Sequence, residues 1–462
     1  MSVFVKQKKL ISGLWFSIFI ISHLFLALAT GEGHIYPDSG GYLKIDEEAT
    51  NFKFGTFSLI GESLRPWVAV GFITFFYNFG ILVTVQSLFF ALSLFLVAHA
   101  LSVLFKGIPA SSIFLTIYVL SLVPEISQFN YTVLSESLTL SLTAFAIAFF
   151  LFYLEKQNKL YIWASIFFIF VASVIRPYLI IFLAFLLCYY ILSRKTYRIV
   201  FTGIIFFSLL LYPLFINQKI SEYWAGGSSS GLSRGVYTYF YLVDTSNQIE
   251  EATITLPTDA PDCLNNIKIF NNGPYASASR LNEYCESGTI WLNNEFNTWY
   301  LYFIITNPSI SLKIMKRYVQ EVGYGTDYTN NTFDAQTDTY IPKDTKHLLP
   351  FSISSIFFST SEMKHSHFPV LIFWILLGLI TNLIFTISYL VRLVAQRNSS
   401  KTQNQSNDIV NIFSILGVLS LMINILLHPG GEIYRINLPS VFSILVGSVI
   451  NLFFLFDKSR RI

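Results

Sequence analysis

Apolar runs of roughly 20 residues, enough for a helix to cross a bilayer core of about 30 Å, recur along this 462-residue chain. In hydrocarbon the backbone must satisfy its own hydrogen bonds, so such runs resolve as helices. About ten candidates can be read, near 10–30, 79–105, 108–124, 134–154, 160–175, 177–193, 199–216, 367–392, 409–428 and 436–456. The division between 160–175 and 177–193 is the weakest, because only Arg176-Pro177 separates two short runs. Hydrophobic residues make up 53% of the chain and charged residues 12%, against roughly 25% charged in a soluble domain. The expected fold class is an all-α polytopic membrane protein.

Lysine and arginine concentrate at the cytoplasmic ends of membrane helices. Threading ten spans alternately puts Lys6, Lys8, Lys9, Lys106, Lys156, Lys159, Arg194, Lys195, Arg198, Arg392, Arg397, Lys401, Lys458, Arg460 and Arg461 on one side. Both termini are then expected in the cytoplasm of a cell inner-membrane protein, with the 31–66 loop and the 217–366 segment outside. The N-terminus imitates a secretory signal, with Lys6 to Lys9, an apolar stretch and Ala27-Leu28-Ala29. Its apolar stretch exceeds the usual h-region of about 7–15 residues, so an uncleaved first span is expected. A net charge of +3 leaves no basic face of the kind that binds nucleic acid.

The chain divides into three parts: a membrane part over 1–216, an extracytoplasmic part of mixed structure over 217–366 between spans seven and eight, and membrane helices over 367–462. The middle part opens on Gly226-Gly227-Ser228-Ser229-Ser230-Gly231 and is rich in Asn, Thr, Asp and Tyr. Within it, Trp291 to Ile305 is apolar enough for a helix lying on the membrane, and Asn307-Pro308-Ser309 supplies a cap and a first-turn proline for the next. The bases beyond it, Lys313, Lys316 and Arg317, read either as a solvated face or as a lipid-headgroup contact. Trp67 to Phe79 runs on into the second apolar run, and part of that length is expected along the interface. Cys188, inside an apolar run, reads as a small buried hydrophobe. Cys263 and Cys285 share the outside segment, where an oxidising compartment favours a disulfide.

Charged residues at the outer ends of the spans are the candidates for chemistry. Asp38 stands in His34-Ile35-Tyr36-Pro37-Asp38-Ser39-Gly40-Gly41-Tyr42, just after the first run. Glu125 and Glu136 flank a short turn expected outside, Arg176 ends the fifth run, and Glu432 and Arg435 precede the last. A charge at membrane depth is costly unless it meets protein, water or a counter-ion, which makes Arg176 a functional candidate. Carboxylates and guanidiniums gathered at one face can take a proton from a hydroxyl and neutralise a phosphate. Each also has a structural reading. Asp38 can serve the turn beside it, Glu136 can face a helix N-terminus, Arg176 can snorkel to the interface, and Glu432 with Arg435 can be a plain i,i+3 pair.

Five stretches carry a resemblance: Asp38-Ser39-Gly40-Gly41-Tyr42, Arg65-Pro66 leading to Phe79-Gly80, Leu134-Ser135-Glu136-Ser137-Leu138, Arg176-Pro177, and Glu432-Ile433-Tyr434-Arg435 with Pro439. In this order and sidedness the chain resembles the GT-C integral-membrane glycosyltransferases, such as protein mannosyltransferases and aminoarabinose transferases, which take sugars from polyprenyl-phosphate carriers. The resemblance implies a GT-C-like fold with Asp38 as the base that deprotonates an acceptor hydroxyl, and inversion at the anomeric carbon. It implies that Arg176 and Arg435 hold the leaving phosphate, with Arg65, Glu136, Glu432 and Tyr42 as further substrate contacts. Many relatives carry two adjacent acids where this chain has Asp38 followed by Ser39, so no metal cofactor is expected, although Asp46, Glu47 and Glu48 offer ligands. The implied partners are a polyprenyl-phosphate-linked sugar donor and membrane lipid. A glycan polymerase or ligase is the first alternative, which would place catalytic Arg and His in the large outer segment. A transporter or flippase of lipid-linked sugars is the second, but it favours charges near the bilayer midplane.

Overall fold

The computed structural model describes residues 2–30, 67–122, 124–192, 211–212, 236, 239–240, 242–243, 256–265, 281–309, 311–313, 331–334, 339–342 and 433–456. Asp38, Tyr42, Arg65 and Glu432 lie outside these, as do the expected spans at 367–392 and 409–428 and all of 199–216 except 211–212. Three described helices are long and apolar enough to cross a membrane: Leu10–Ala29, Leu82–Leu104 and Glu136–Lys156. Shorter apolar helices, Val68–Asn78, Ala110–Ser121, Lys159–Ile175 and Ile180–Tyr190, accompany them.

Helix α1 (Ser2–Thr30) turns Phe19, His23 and Ala27 inward and leaves Leu10, Leu14, Ile21, Phe25 and Leu28 exposed as an apolar stripe. Such a face is suited to lipid, which asks for no polar side chains. Helix α2 (Trp67–Asn78) ends at Gly80, whose φ of +67° is left-handed. The Gly80 N–H donates to Tyr77 O at 2.8 Å and the Ile81 N–H to Phe76 O at 3.1 Å, which is the Schellman pattern of helix termination. The chain then reverses into α3 (Leu82–Leu104), with Phe72 against Phe89 (centroids 6.1 Å apart). The stretch expected in part along the interface is therefore a separate helix that packs on the bundle, with Ala69 and Ile73 fully buried.

Helix α4 (Ala110–Ser121) has 12 residues, about 18 Å of rise, shorter than the span expected over 108–124. Beyond it come α5 (Pro124–Ser127) and a 3₁₀ turn, Gln128–Tyr131. An outside turn is expected here from the sequence, but Ile126, Phe129, Asn130, Tyr131, Val133 and Leu134 are all buried. Irregular backbone is tolerated at such a place when protein, and not lipid, surrounds it.

Helix α6 (Glu136–Lys156) is the centre of the bundle, with 94% of its apolar window buried. Gln157, at φ 54°, and Asn158, whose side chain accepts the Leu160 N–H at 3.0 Å, make the tight return into α7 (Lys159–Ile175). Ser165 of α7 donates to Ala146 O at 2.7 Å. Arg176 closes α7 with its N–H on Ala172 O at 2.8 Å, and Pro177 opens a 3₁₀ turn, Pro177–Leu179, before α8 (Ile180–Leu192). The two short runs are thus separate helices. Proline has no N–H to continue the ladder and disfavours helical backbone at the residue before it. Cys188, expected as a buried hydrophobe, is exposed on α8.

Side-chain contacts set the directions of these helices. Ser12 Oγ is 3.3 Å from His99 Nδ1, and His23 lies against Phe90 (5.7 Å), so α1 runs antiparallel to α3. Helices α3 and α6 run parallel: Gln86 Nε2 donates to Leu134 O at 3.2 Å at one end, and Lys106 pairs with Glu155 at 2.8 Å at the other.

Farther along the chain are α9 (Asp262–Asn265), α10 (Leu281–Tyr284), α11 (Glu286–Asn294) and α12 (Phe296–Thr306). A disulfide joins Cys263 to Cys285, with Cα atoms 5.9 Å apart. Tyr239 donates to Leu264 O at 3.1 Å. Burial holds its phenol well above the ordinary value, so it remains a neutral donor. Strands β1 (Asn331–Asp334) and β2 (Thr339–Pro342) pair antiparallel, Asn331 opposite Pro342. The last described helix is α13 (Ile433–Phe456), whose Phe453 meets Phe105 at 5.8 Å. Its C-terminus therefore lies at the lysine end of the bundle, and its first turn toward the opposite end.

Candidate active site at the glutamate end of the bundle

Helix α6 begins at Glu136, and its partner α7 ends at Arg176, so an antiparallel hairpin brings two residues forty positions apart in sequence to the same end. Arg176 Nη2 donates to Glu136 Oε1 at 2.6 Å and to Ser135 Oγ at 3.3 Å. Glu136 is 1% exposed and the Arg176 side chain 17%. The carboxylate expected at an outer face is therefore inside the protein, and the arginine turns inward to it instead of snorkelling. A fully desolvated carboxylate is costly without a counter-charge, which explains why the guanidinium is drawn in. Glu136 also occupies the first turn of α6, where the helix dipole favours a negative charge.

The guanidinium carries five N–H donors in a planar fork. The two on Nη2 are directed to Glu136 and Ser135, while those on Nε and Nη1 have no acceptor among the described residues. The pair therefore fixes one edge of the fork. Planar bidentate binding is what carboxylate and phosphate offer to arginine.

Around the pair lies a buried polar group whose members are scattered along the chain. Ser137 Oγ donates to Asn130 Oδ1 at 2.6 Å. Gln86 holds the carbonyl of Leu134 from α3. Tyr131 packs on Ala27 and Val83, and burial pushes its phenol well above its ordinary value. Sequence reasoning misses this group, although two signals point to it: Gln86 is an amide inside an apolar run, and Asn130 belongs to an Asn-Tyr-Thr sequon. Asn130 is fully buried and bonded to Ser137, so it is a structural amide and not a glycosylation acceptor.

No family model, curated protein or solved structure matches the chain.

Of the other candidates, Glu125 stands in α5 next to Pro124 at this same end. Arg435 is in the first turn of α13. Four residues on, Pro439 cannot donate to the Arg435 carbonyl, so α13 lacks that bond in its first turns. The main chain leaves α1 at Thr30 beside this end too, since Ala27 packs with Val83 and Tyr131, and Asp38 comes eight residues later. Among the described residues no group of three or more His, Cys, Asp or Glu is placed to hold a metal ion.

Proposed function

We propose that the chain is an inverting glycosyltransferase of GT-C type that moves a sugar from a polyprenyl-phosphate carrier to a lipid, glycan or protein acceptor at the outer face of the membrane. The observation that carries this reading is Arg176, which is held by Glu136 and Ser135 on one edge and meets no further acceptor among the described residues, at the end of the bundle where α1 ends eight residues before Asp38. Eight residues reach up to about 28 Å when extended, so the loop is long enough for Asp38 to work beside the guanidinium.

In this mechanism the Asp38 carboxylate takes the proton of an acceptor hydroxyl as its oxygen attacks the anomeric carbon. The bond from that carbon to the phosphate oxygen breaks, its electron pair leaves with the polyprenyl phosphate, and the sugar inverts. General-base help is worth about 10²–10⁴-fold. Glu136 already balances the charge of Arg176, so Arg176 contributes geometry to the phosphate. The excess positive charge falls to Arg435 and Arg65, and fixed charge at a developing anion is often the largest catalytic contribution. Tyr42 and Glu432 complete the substrate contacts. Ten spans, cytoplasmic termini and an outer 217–366 segment belong to the same proposal, and no metal is assigned a step.

The test is incubation of the purified protein with defined polyprenyl-phosphate sugars and membrane glycolipid extracts, read by mass spectrometry. A mass gain of one sugar on an acceptor is expected. Consumption of no donor in any combination would count against it.

A further inference from the structure

Helix α12 buries one apolar face in protein, and its opposite face exposes Tyr302 and Ile305 between Thr298 and Thr306. Its inner face, Phe296, Trp299, Tyr300 and Phe303, is buried against rings that include Tyr239 and Trp291. Its outer face leaves Tyr302 67% and Ile305 75% exposed, and past the Asn307-Pro308 restart Leu312 is 65% exposed. Isolated exposed apolar residues are ordinary. What sets this stretch apart is that Phe296 to Leu312 contains no charged residue, while Glu295 precedes it and Lys313, Lys316 and Arg317 come after it.

We propose that the outer face of α12, with Leu312, lies in the interface of the phospholipid bilayer, with Lys313 at headgroup level. At 11 residues, α12 rises about 16 Å, too short to cross the core, so a helix of this length that meets lipid from the side does so lying along it. The exposed Tyr302 suits a boundary where one end of the side chain is apolar and the other wet. Bases at the border of an apolar face meet phosphate headgroups favourably. The segment belongs to a chain in which three described helices are long and apolar enough to cross a membrane. This surface does not depend on the glycosyl transfer proposed for Asp38 and Arg176.

The experiment uses the full-length protein in lipid nanodiscs. In a Cys188→Ser background, an environment-sensitive fluorophore is attached at Ile305→Cys, Leu312→Cys or, as a control, the exposed Asn294→Cys, after non-reducing electrophoresis confirms that the Cys263–Cys285 disulfide is intact. Lipids bearing a nitroxide just below the headgroup should quench positions 305 and 312 at least about 2-fold more than position 294, because interfacial residues sit at that depth. Equal quenching at all three positions would overturn the proposal. So would a fluorophore shielded from both nitroxide lipid and aqueous iodide, which would mean that a second copy or another protein covers the face.

Discussion

Arg176 Nη2 stands 2.6 Å from Glu136 Oε1 where α7 ends and α6 begins, and the glutamate is almost completely buried. Removing one member of a buried pair strands the other charge, at a cost of about 3–5 kcal/mol. Arg176→Ala should therefore destabilise more than Glu136→Ala, since the arginine keeps some access to its surroundings and the glutamate has almost none. Thermal unfolding in detergent would check the order, and equal losses would contradict it.

Gly80 ends α2 in a left-handed conformation with open space where a Cβ would go. Gly80→Ala should cost about 1–2 kcal/mol from backbone strain alone. Gly80→Asn should cost less, because asparagine tolerates this region. The comparison is read from unfolding midpoints of the two variants.

At Gly288 the constraint is space. A Cβ there would overlap Cys285 Sγ and stand 2.7 Å from Leu264 Cδ2. Overpacking of this kind typically costs about 1–3 kcal/mol, so Gly288→Ala should lower the fraction of protein that forms the Cys263–Cys285 bond. Non-reducing electrophoresis measures that fraction directly.

After denaturation in detergent, a maleimide should label one thiol per chain, Cys188, before reduction and three after it, since Cys188 is free and the other two are joined. Three labelled thiols before reduction would remove the disulfide.

Asn130 lies in a sequon but is buried and accepts from Ser137 at 2.6 Å. Expressed in a glycosylating secretory membrane, the chain should carry no glycan at this site. Asn130→Gln should leave the glycan mass unchanged while lowering stability, because a misplaced buried amide costs about 1–3 kcal/mol. Loss of one glycan in the variant would show the site to be open.

The positions of the long apolar helices are legible in the sequence because apolar length is a strong signal, and the break at Arg176-Pro177 is legible because proline ends a ladder. The short helices α9 and α10 are not, and the stretch read as one helix over 291–305 is divided at Glu295 between α11 and α12. Which face of a membrane helix points inward is not legible either. Lipid-facing and core-facing residues are equally apolar, so α8 has no polar stripe to orient it, and sequence reasoning puts Cys188 on the wrong side. The candidates Glu136 and Arg176 are visible one at a time, each as an isolated charge at a span end. That they hold each other depends on the α6–α7 hairpin, a tertiary relation absent from either local stretch. The buried course of 126–135 is hidden for a related reason, since Gln128, Asn130 and Thr132 look like a polar loop until Gln86 and Ser137 close on its neighbours.

The most direct measurement compares wild type with Asp38→Asn in the transfer assay, using one polyprenyl-phosphate sugar and its identified acceptor. The substitution keeps side-chain volume and turn capacity but removes the base. Wild type should yield a product of inverted anomeric configuration, and Asp38→Asn should lose about 10²-fold or more in rate at unchanged expression and unfolding midpoint. Equal transfer by the two proteins, or a product of retained configuration, would contradict the assignment of Asp38 as the base of an inverting transferase.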